Sequence, residues 1–424
     1  MLKKIPCLLV FVICFQISWS QSTLRGKVVS EENKKPLPSA SVYLNNTSMG
    51  SITNEQGVFF IGNVPSGKFR LIVSCVGYET YTEMIDPRAL PKELTIALKT
   101  KSDELQGFSV VPPEPDGWKI WGVLFTELFI GTTPHSNDCK LTNPEVIKFR
   151  KNPDNTLTAY ATEPLLIENY YLGYEIRYKL EDFIYDLTTK RVDYSGYAFF
   201  TDMGIKHPNR ARKYAEARLE NFKGSLLHFK RAFYANQLDA QGFEMRSLGN
   251  IPNPEKERAK RILSLHKNGQ VIDTTDSNIG YEIGPGGVMQ NLRTTTHVVD
   301  STDYFKKKLL EPDSVISHQI VSADSIGFAA DSTIAGLYFK DSLEVSYKFK
   351  TIPNRYRSLS KDHKHETFPV SQFVFVNQRP VYVLKNGFLY KTYDLKVTGF
   401  WAWWETMATL LPYDYLPETL RPGS

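Results

Sequence analysis

Two short stretches carry residue types that could do chemistry. The first is DHKHE (362–366), in which His363 and His365 stand two apart. On an extended strand they point the same way, and two imidazoles on one face can hold a metal. A zinc site needs three or four ligands, and the sequence offers no identifiable third. The competing reading is a polar turn ahead of a strand at 370. The second stretch is FWAWW (400–404), which, if extended, sets Trp401 and Trp403 on one face with Phe400 and Trp404 on the other. Exposed tryptophans stack on sugar rings or anchor protein partners, so Trp401, Trp403 and Trp404 are the candidate binding residues. Burial at a strand end is the commoner fate of such rings.

The standard catalytic constellations are missing from the chain: it has no GxSxG, HExxH, CxxC or Walker sequence. IGPGGV (283–288) is rich in glycine, but Pro285 interrupts it and no phosphate-binding lysine follows, so it reads as a wide turn. No cofactor is expected. Acidic residues are scattered, and only folded geometry would reveal a catalytic carboxylate pair.

Charge and cysteine content narrow the classes further. The 424 residues hold 51 basic and 46 acidic side chains, a formal charge of +5. Loss of a leader carrying Lys3 and Lys4 would lower this to about +3. A nucleic-acid partner usually calls for a clear basic excess, so none is expected. Of the four cysteines, Cys7 and Cys14 fall in the same leader, leaving Cys75 and Cys139. They allow one bridge in an oxidising compartment or two separate thiols, and the sequence leaves both open.

The leader is read from its parts. Lys3 and Lys4 form a positive start, LLVFVICF (8–15) a short apolar core, and Ser18-Trp19-Ser20 the small residues before a cut at Gln21. This is the pattern of a secretory signal peptide over 1–20, and the expected location is exported, periplasmic or associated with the outer membrane. Neither 118–131 nor 400–411 is long and apolar enough to be a spanning helix.

From Thr23 the chain alternates with period two. TLRGKVVS, ASVYLNN, GVFFIG, KFRLIVSCV and ELTIALK are rich in β-formers and are separated by turn chemistry at ENKKPLP, NEQG and PSG. Phe69, Leu71, Val73 and Cys75 share one face. Glycines 57, 67 and 77 fall at turns, and Gly62 is read as closing a strand. Residues 21–100 are therefore predicted to form a small β-sandwich of seven-stranded type.

The ordered run GKVV…PLPSASVYLNNT…TNEQGVFFIGNVPSGKFRLIVSCVGYET resembles the carboxypeptidase regulatory-like domain. The resemblance covers about 22–100 and implies a transthyretin-like sandwich without catalytic residues, of the kind found in secreted and outer-membrane proteins of Bacteroidota.

Residues 101–117 read as a linker with prolines at its centre, and 118–424 as a larger β-rich α+β domain. Asp116 is placed to cap a helix whose Trp118, Trp121, Leu124, Phe125, Leu128 and Phe129 form one apolar face. Strands are predicted in TLTAYA, LLIENYYLGYEIRYKLEDFIYD and KRVDYSGYAFFTD. Residues 208–222 and 226–238 are predicted as a helical hairpin broken at Gly224 and capped by Ser225, with His228 as a partly buried histidine. A basic helix follows near 253–269. The tail returns to β, with an Asn386-Gly387 hairpin and a short helix around ETMATLL. CKLTNPEVIKF, LLIENYYLGYEIRYKLEDF, YSGYAFF, GSLLHFKRAFYANQL and LLPYDY resemble a second family of Bacteroidota envelope proteins carrying the same sandwich. That family brings no activity with it.

The expected function is a non-enzymatic cell-envelope protein. Its sandwich would serve as a docking or spacer module, and its larger domain would bind an envelope protein or a glycan. The alternative is a secreted hydrolase of peptide or glycan with an unfamiliar site in 118–424. An outer-membrane barrel is disfavoured by the helices at 208–238 and the chain end ETLRPGS. The sequence sets no oligomeric state.

Overall fold

The computed structural model describes residues 22–65, 67–87, 89, 93–101, 112–267, 281–283, 289–291, 301–340, 342–360, 366–390 and 394–417. The fold is mainly β, as expected. The N-terminal strands are β1 (Ser22–Ser30), β2 (Ser41–Leu44), β3 (Gly50–Ile52), β4 (Val58–Val64), β5 (Phe69–Ser74), β6 (Tyr81–Ile85) and β7 (Leu94–Leu98). They form two sheets, ordered β4-β1-β7 and β3-β2-β5-β6. The alternating residues of β2 and β5 turn Val42, Leu44, Phe69, Leu71 and Val73 inward against Val28, Phe59, Ile61 and Ile96 of the other sheet. Gly57 has φ 71°, and a Cβ there would lie 2.5 Å from the Val28 carbonyl oxygen, so only glycine fits this turn. Gly62 does not close β4, which runs on to Val64.

Helix α1 (Gly117–Phe129) lies where its apolar face predicted, although the Asp116 side chain forms no cap bond. The segment before it is already docked: Glu114 N donates to the Phe149 carbonyl, and Trp121 Nε1 donates to Glu114 Oε2 at 2.8 Å. Then come β8 (Cys139–Leu141), β9 (Ile147–Lys151), β10 (Thr156–Ala161), β11 (Leu165–Asn169), β12 (Tyr174–Asp186) and β13 (Val192–Asp202). The β stretch from 165 to 186 is two strands, reversed at Tyr170–Gly173 by Gly173 at φ 69°.

β12 organises this six-stranded sheet. β13 runs along one edge, and β11 and then β10 along the other. The first half turns Tyr174, Ile176, Tyr178 and Leu180 inward, and the second half turns Phe183 and Tyr185 inward. The switch from even to odd positions occurs at an irregularity between Leu180 and Asp182, where β12 holds one residue more than β13. Such a bulge moves every later side chain to the other face. Phe125 and Phe129 of α1 cover the inward rings, with centroids 4.8 Å apart for Phe125–Phe183 and 5.0 Å for Phe129–Tyr178.

Helices α2 (Ala211–Phe222) and α3 (Leu226–Tyr234) follow, with Gly224 at φ 75° between them and the Ser225 hydroxyl accepting from His228 N. Their roles divide at that glycine. Phe222 belongs to the core under α1, whereas Phe229 and Phe233 enter a second core. There Phe243–Leu248, Ser342–Tyr347, Val370–Phe375 and Leu395–Gly399 form an antiparallel sheet. The basic helix α4 spans Pro254–Lys267. Residues 284–288 of the glycine-rich turn lie outside the described residues. The last helix is Phe400–Trp404, and the ETMATLL segment expected as a helix is a succession of turns. Cys75 and Cys139 are separate free thiols.

Candidate functional site: a cleft between the sandwich and the large sheet

The sequence Leu44-Asn45-Asn46-Thr47-Ser48-Met49 joins β2 to β3. Asn46 takes φ 56°, a left-handed conformation that asparagine tolerates. Thr47 is fully buried; its hydroxyl donates to the Leu44 carbonyl at 2.7 Å and accepts from Met49 N at 3.0 Å. This shapes the turn so that its own backbone faces β13. Asn46 N donates to the Ala198 carbonyl at 2.7 Å, and Phe200 N donates to the Thr47 carbonyl at 3.0 Å. Asn45 Oδ1 accepts from Ala198 N at 3.0 Å. A turn of the sandwich thus extends the large sheet with a short parallel bridge.

The C-terminal segment closes over the same turn. Tyr413 N donates to the Asn46 carbonyl, and Ser48 N donates to both Asp414 carboxylate oxygens at 3.0 Å. Arg231 of α3 holds that segment from the other side, donating to the Tyr415 and Tyr413 carbonyls at 2.8 and 2.9 Å. Burial pushes the Arg231 guanidinium down to about 10, and Asp414 opposes the shift. Asn169 Nδ2 donates to the Ala408 carbonyl at 2.9 Å, which ties the segment to the large sheet.

Where the two bodies meet, they leave a cleft of about 230 Å³. One wall is the outer face of the β3-β2-β5-β6 sheet. Side chains paired across an antiparallel ladder share a face, so the Ser41–Ser74, Tyr43–Gly50 and Ser41–Ile52 partnerships place these residues together. The other wall is Arg177 and Lys179 of β12 with Phe199 of β13, and Pro164 stands at the rim. Phe199 lies 5.4 Å from the Tyr43 ring and directly against Gly50, where a Cβ would meet the Phe199 ring at 2.6 Å. Glycine at 50 is therefore what lets the two aromatic rings approach.

The cations of the cleft differ. Lys179 is committed, pairing with Glu181 at 2.6 Å and bonding the Thr80 hydroxyl. Arg177 is exposed, and its guanidinium forms no hydrogen bond or ion pair with a described residue. Burial raises the Tyr43 phenol well above its usual range, and the nearby Arg177 charge opposes that rise. The arrangement offers apolar ring faces, a pair of hydroxyls and one uncommitted guanidinium. It suits recognition, and its lining holds no histidine, cysteine, aspartate or glutamate.

None of the described residues singled out in the sequence lines this cleft. Trp401 and Trp404 are buried in the second core, 2% and 4% exposed, on a helix and not on the extended segment expected. Trp401 Nε1 donates to the Gly224 carbonyl at 2.8 Å. Trp403 is half-buried and donates to the Thr132 hydroxyl at 3.1 Å. These rings pack and hydrogen-bond internally, as in the burial reading of FWAWW, and form no exposed platform. His363 and His365 lie outside the described residues, among which no cluster of three or more metal-ligating side chains occurs. His228 is buried, accepting from Gly224 N at Nδ1 and 3.2 Å from Gln241 Oε1 at Nε2. Among the described residues no helix is long and apolar enough to cross a membrane.

The fold thus defines a β-sandwich, antiparallel except for the parallel β1–β7 pair, docked by a turn onto a second, larger β structure. The sandwich has a named family: residues 24–110 match the model of the CarboxypepD_reg-like domain. No curated protein matches the sequence. Solved structures give distant likenesses. A type II cohesin–X-dockerin complex from Acetivibrio cellulolyticus, an N-terminal interface mutant, aligns at 20% identity and TM-score 0.17, covering 19% of this chain and 58% of that one. The corresponding C-terminal interface mutant aligns at 20% identity and TM-score 0.15, covering 18% and 56%. The chain thus spans less than two thirds of either. A DUF3823 family protein from Bacteroides ovatus aligns at 12% identity and TM-score 0.16, over 43% of this chain and 81% of that one. These scores are too low to carry a functional conclusion.

Proposed function

We propose that the protein is an exported, non-enzymatic cell-envelope protein that holds a protein or glycan partner in the cleft between its CarboxypepD_reg-like sandwich and its larger region. The observation that carries this reading is the cleft itself: binding sites concentrate at the junctions of domains, and this junction is held by hydrogen bonds to β13 and to the C-terminal segment. The sandwich acts as one wall of the site. Export is supported by the leader pattern of residues 1–20.

The test uses the purified full chain and a Ser74→Trp variant, whose added indole fills the cleft from its sandwich wall. Protein and polysaccharide fractions of the native envelope are passed over each. Retention by the wild type that is lost in the variant supports the reading, and equal retention by both overturns it. Cell fractionation with a carbonate wash tests the location. Recovery in the cytoplasmic fraction would contradict export.

A further inference from the structure

We propose that the occupant of the cleft is a carboxylate-bearing sugar residue, a uronic-acid unit of an anionic polysaccharide. This inference rests on the binding reading above and narrows it to one ligand chemistry. Three features of the walls select it together. The Arg177 guanidinium is uncommitted among the described residues, and its planar fork matches a carboxylate. The hydroxyls of Ser41 and Ser74 stand on neighbouring strands at directly opposed positions, each able to donate and accept. The partly exposed Phe199 ring, backed by the largely buried Tyr43 ring, supplies an apolar surface of the kind on which the C–H face of a pyranose ring packs.

Size points the same way. About 230 Å³ is below the roughly 300–1,000 Å³ of sites that enclose a drug-sized ligand. One ring fits, with the rest of the polymer leaving over Ile52, which is 63% exposed at the mouth. An acidic peptide side chain would use the guanidinium but would leave the serine pair and the ring faces without a role. A neutral sugar would leave Arg177 unanswered. The uronate uses all three.

The experiment is calorimetric titration of the full chain with oligomers of galacturonate, glucuronate and mannuronate, with their methyl esters and with poly-glutamate as comparisons. The expected result is binding of at least one uronate oligomer that weakens tenfold or more on esterification and by a similar factor in Arg177→Gln, with Arg177→Lys falling between. Arg177 is a surface residue, so both variants should fold as the wild type does. Equal affinity for acid and ester, an unchanged affinity in Arg177→Gln, or poly-glutamate binding as tightly as the uronates would each overturn the inference. So would a wild type that binds none of the three at millimolar concentration. Failure here with continued loss of envelope retention in Ser74→Trp would remove the uronate and leave the binding cleft standing.

Discussion

The carbonyl of Thr47 accepts a hydrogen bond from the amide of Phe200 at 3.0 Å, so a turn of the N-terminal sandwich completes the ladder of a strand far along the chain. A flexibly tethered spacer would not need this bond. With Asn46 N on the Ala198 carbonyl and Tyr413 N on the Asn46 carbonyl, it makes the sandwich part of the larger body and creates the cleft beside Tyr43 and Phe199.

The Thr47 hydroxyl should be worth more than its size suggests. Thr47→Val keeps the shape but leaves the Leu44 carbonyl and Met49 amide without the bonds of a fully buried hydroxyl. The expected cost is about 1–3 kcal/mol, read from urea denaturation, while Thr47→Ser should stay near the wild type. Equal stability of Thr47→Val and wild type would mean the turn is not held as described.

Asp414 is the second fastening. Asp414→Ala removes the acceptor of Ser48 N and should lower stability by about 1–3 kcal/mol. Calorimetry should also show the single unfolding transition broadening or splitting as the sandwich loses its cover. An unaltered, single sharp transition at the wild-type temperature would contradict that role.

Arg218 secures the reversal between β11 and β12. Its fork meets Asp202 at 2.8 and 2.9 Å, its other N–H groups reach the Leu172 and Gly173 carbonyls, and its guanidinium lies 3.8 Å from the Tyr174 ring centroid. Arg218→Lys keeps the charge and loses the fork. Breaking a buried pair costs about 3–5 kcal/mol; Asp202 is partly open to solvent, so about 2–3 kcal/mol is expected here. A loss under about 0.5 kcal/mol, the usual size for a surface substitution, would show the fork to be dispensable.

His228 predicts a pH dependence. Burial holds its imidazole down to about 4, with Arg231 adding to the shift and Gln241 opposing it. The unfolded chain, near 6.5, therefore binds more protons than the folded one between pH 4 and 6.5. Stability from this group rises with pH across that window and is level above it. The full effect is roughly 3 kcal/mol. In His228→Gln the drop in urea midpoint between pH 7 and 4.5 should be smaller than in the wild type. Parallel pH profiles for the two proteins would rule the histidine out as its source.

Much of the sandwich was legible because its signals are local. The alternation in KFRLIVSC and the glycine at 57 need no partner to be read. β3 escaped because Gly-Ser-Ile carries little apolar pattern, and β6 because Tyr-Thr-Glu-Met-Ile mixes both classes. FWAWW was misassigned as extended because five bulky residues do not by themselves choose a conformation. Gly399 at φ 76° and the Ser371 hydroxyl accepting from Trp401 N set the helix there. The cleft left almost no trace. Ser41, Ser74 and Arg177 are ordinary outward positions of alternating strands, and only docking through Asn46 and Thr47 brings them to one place. The sole advance sign was the asparagine-rich turn NNTS, whose geometry and polar side chains suit a backbone that must bond elsewhere.

The account depends on the sandwich being fixed against the large sheet, and amide hydrogen exchange on the full chain tests this most directly. The amides of Asn46, Phe200 and Tyr413 all donate across the junction. They should exchange only as the whole fold opens, at rates close to those of core amides such as Ile176 and Val73. Exchange of these three at the rate of an exposed turn, with the core amides still protected, would show a loosely tethered sandwich and no standing cleft.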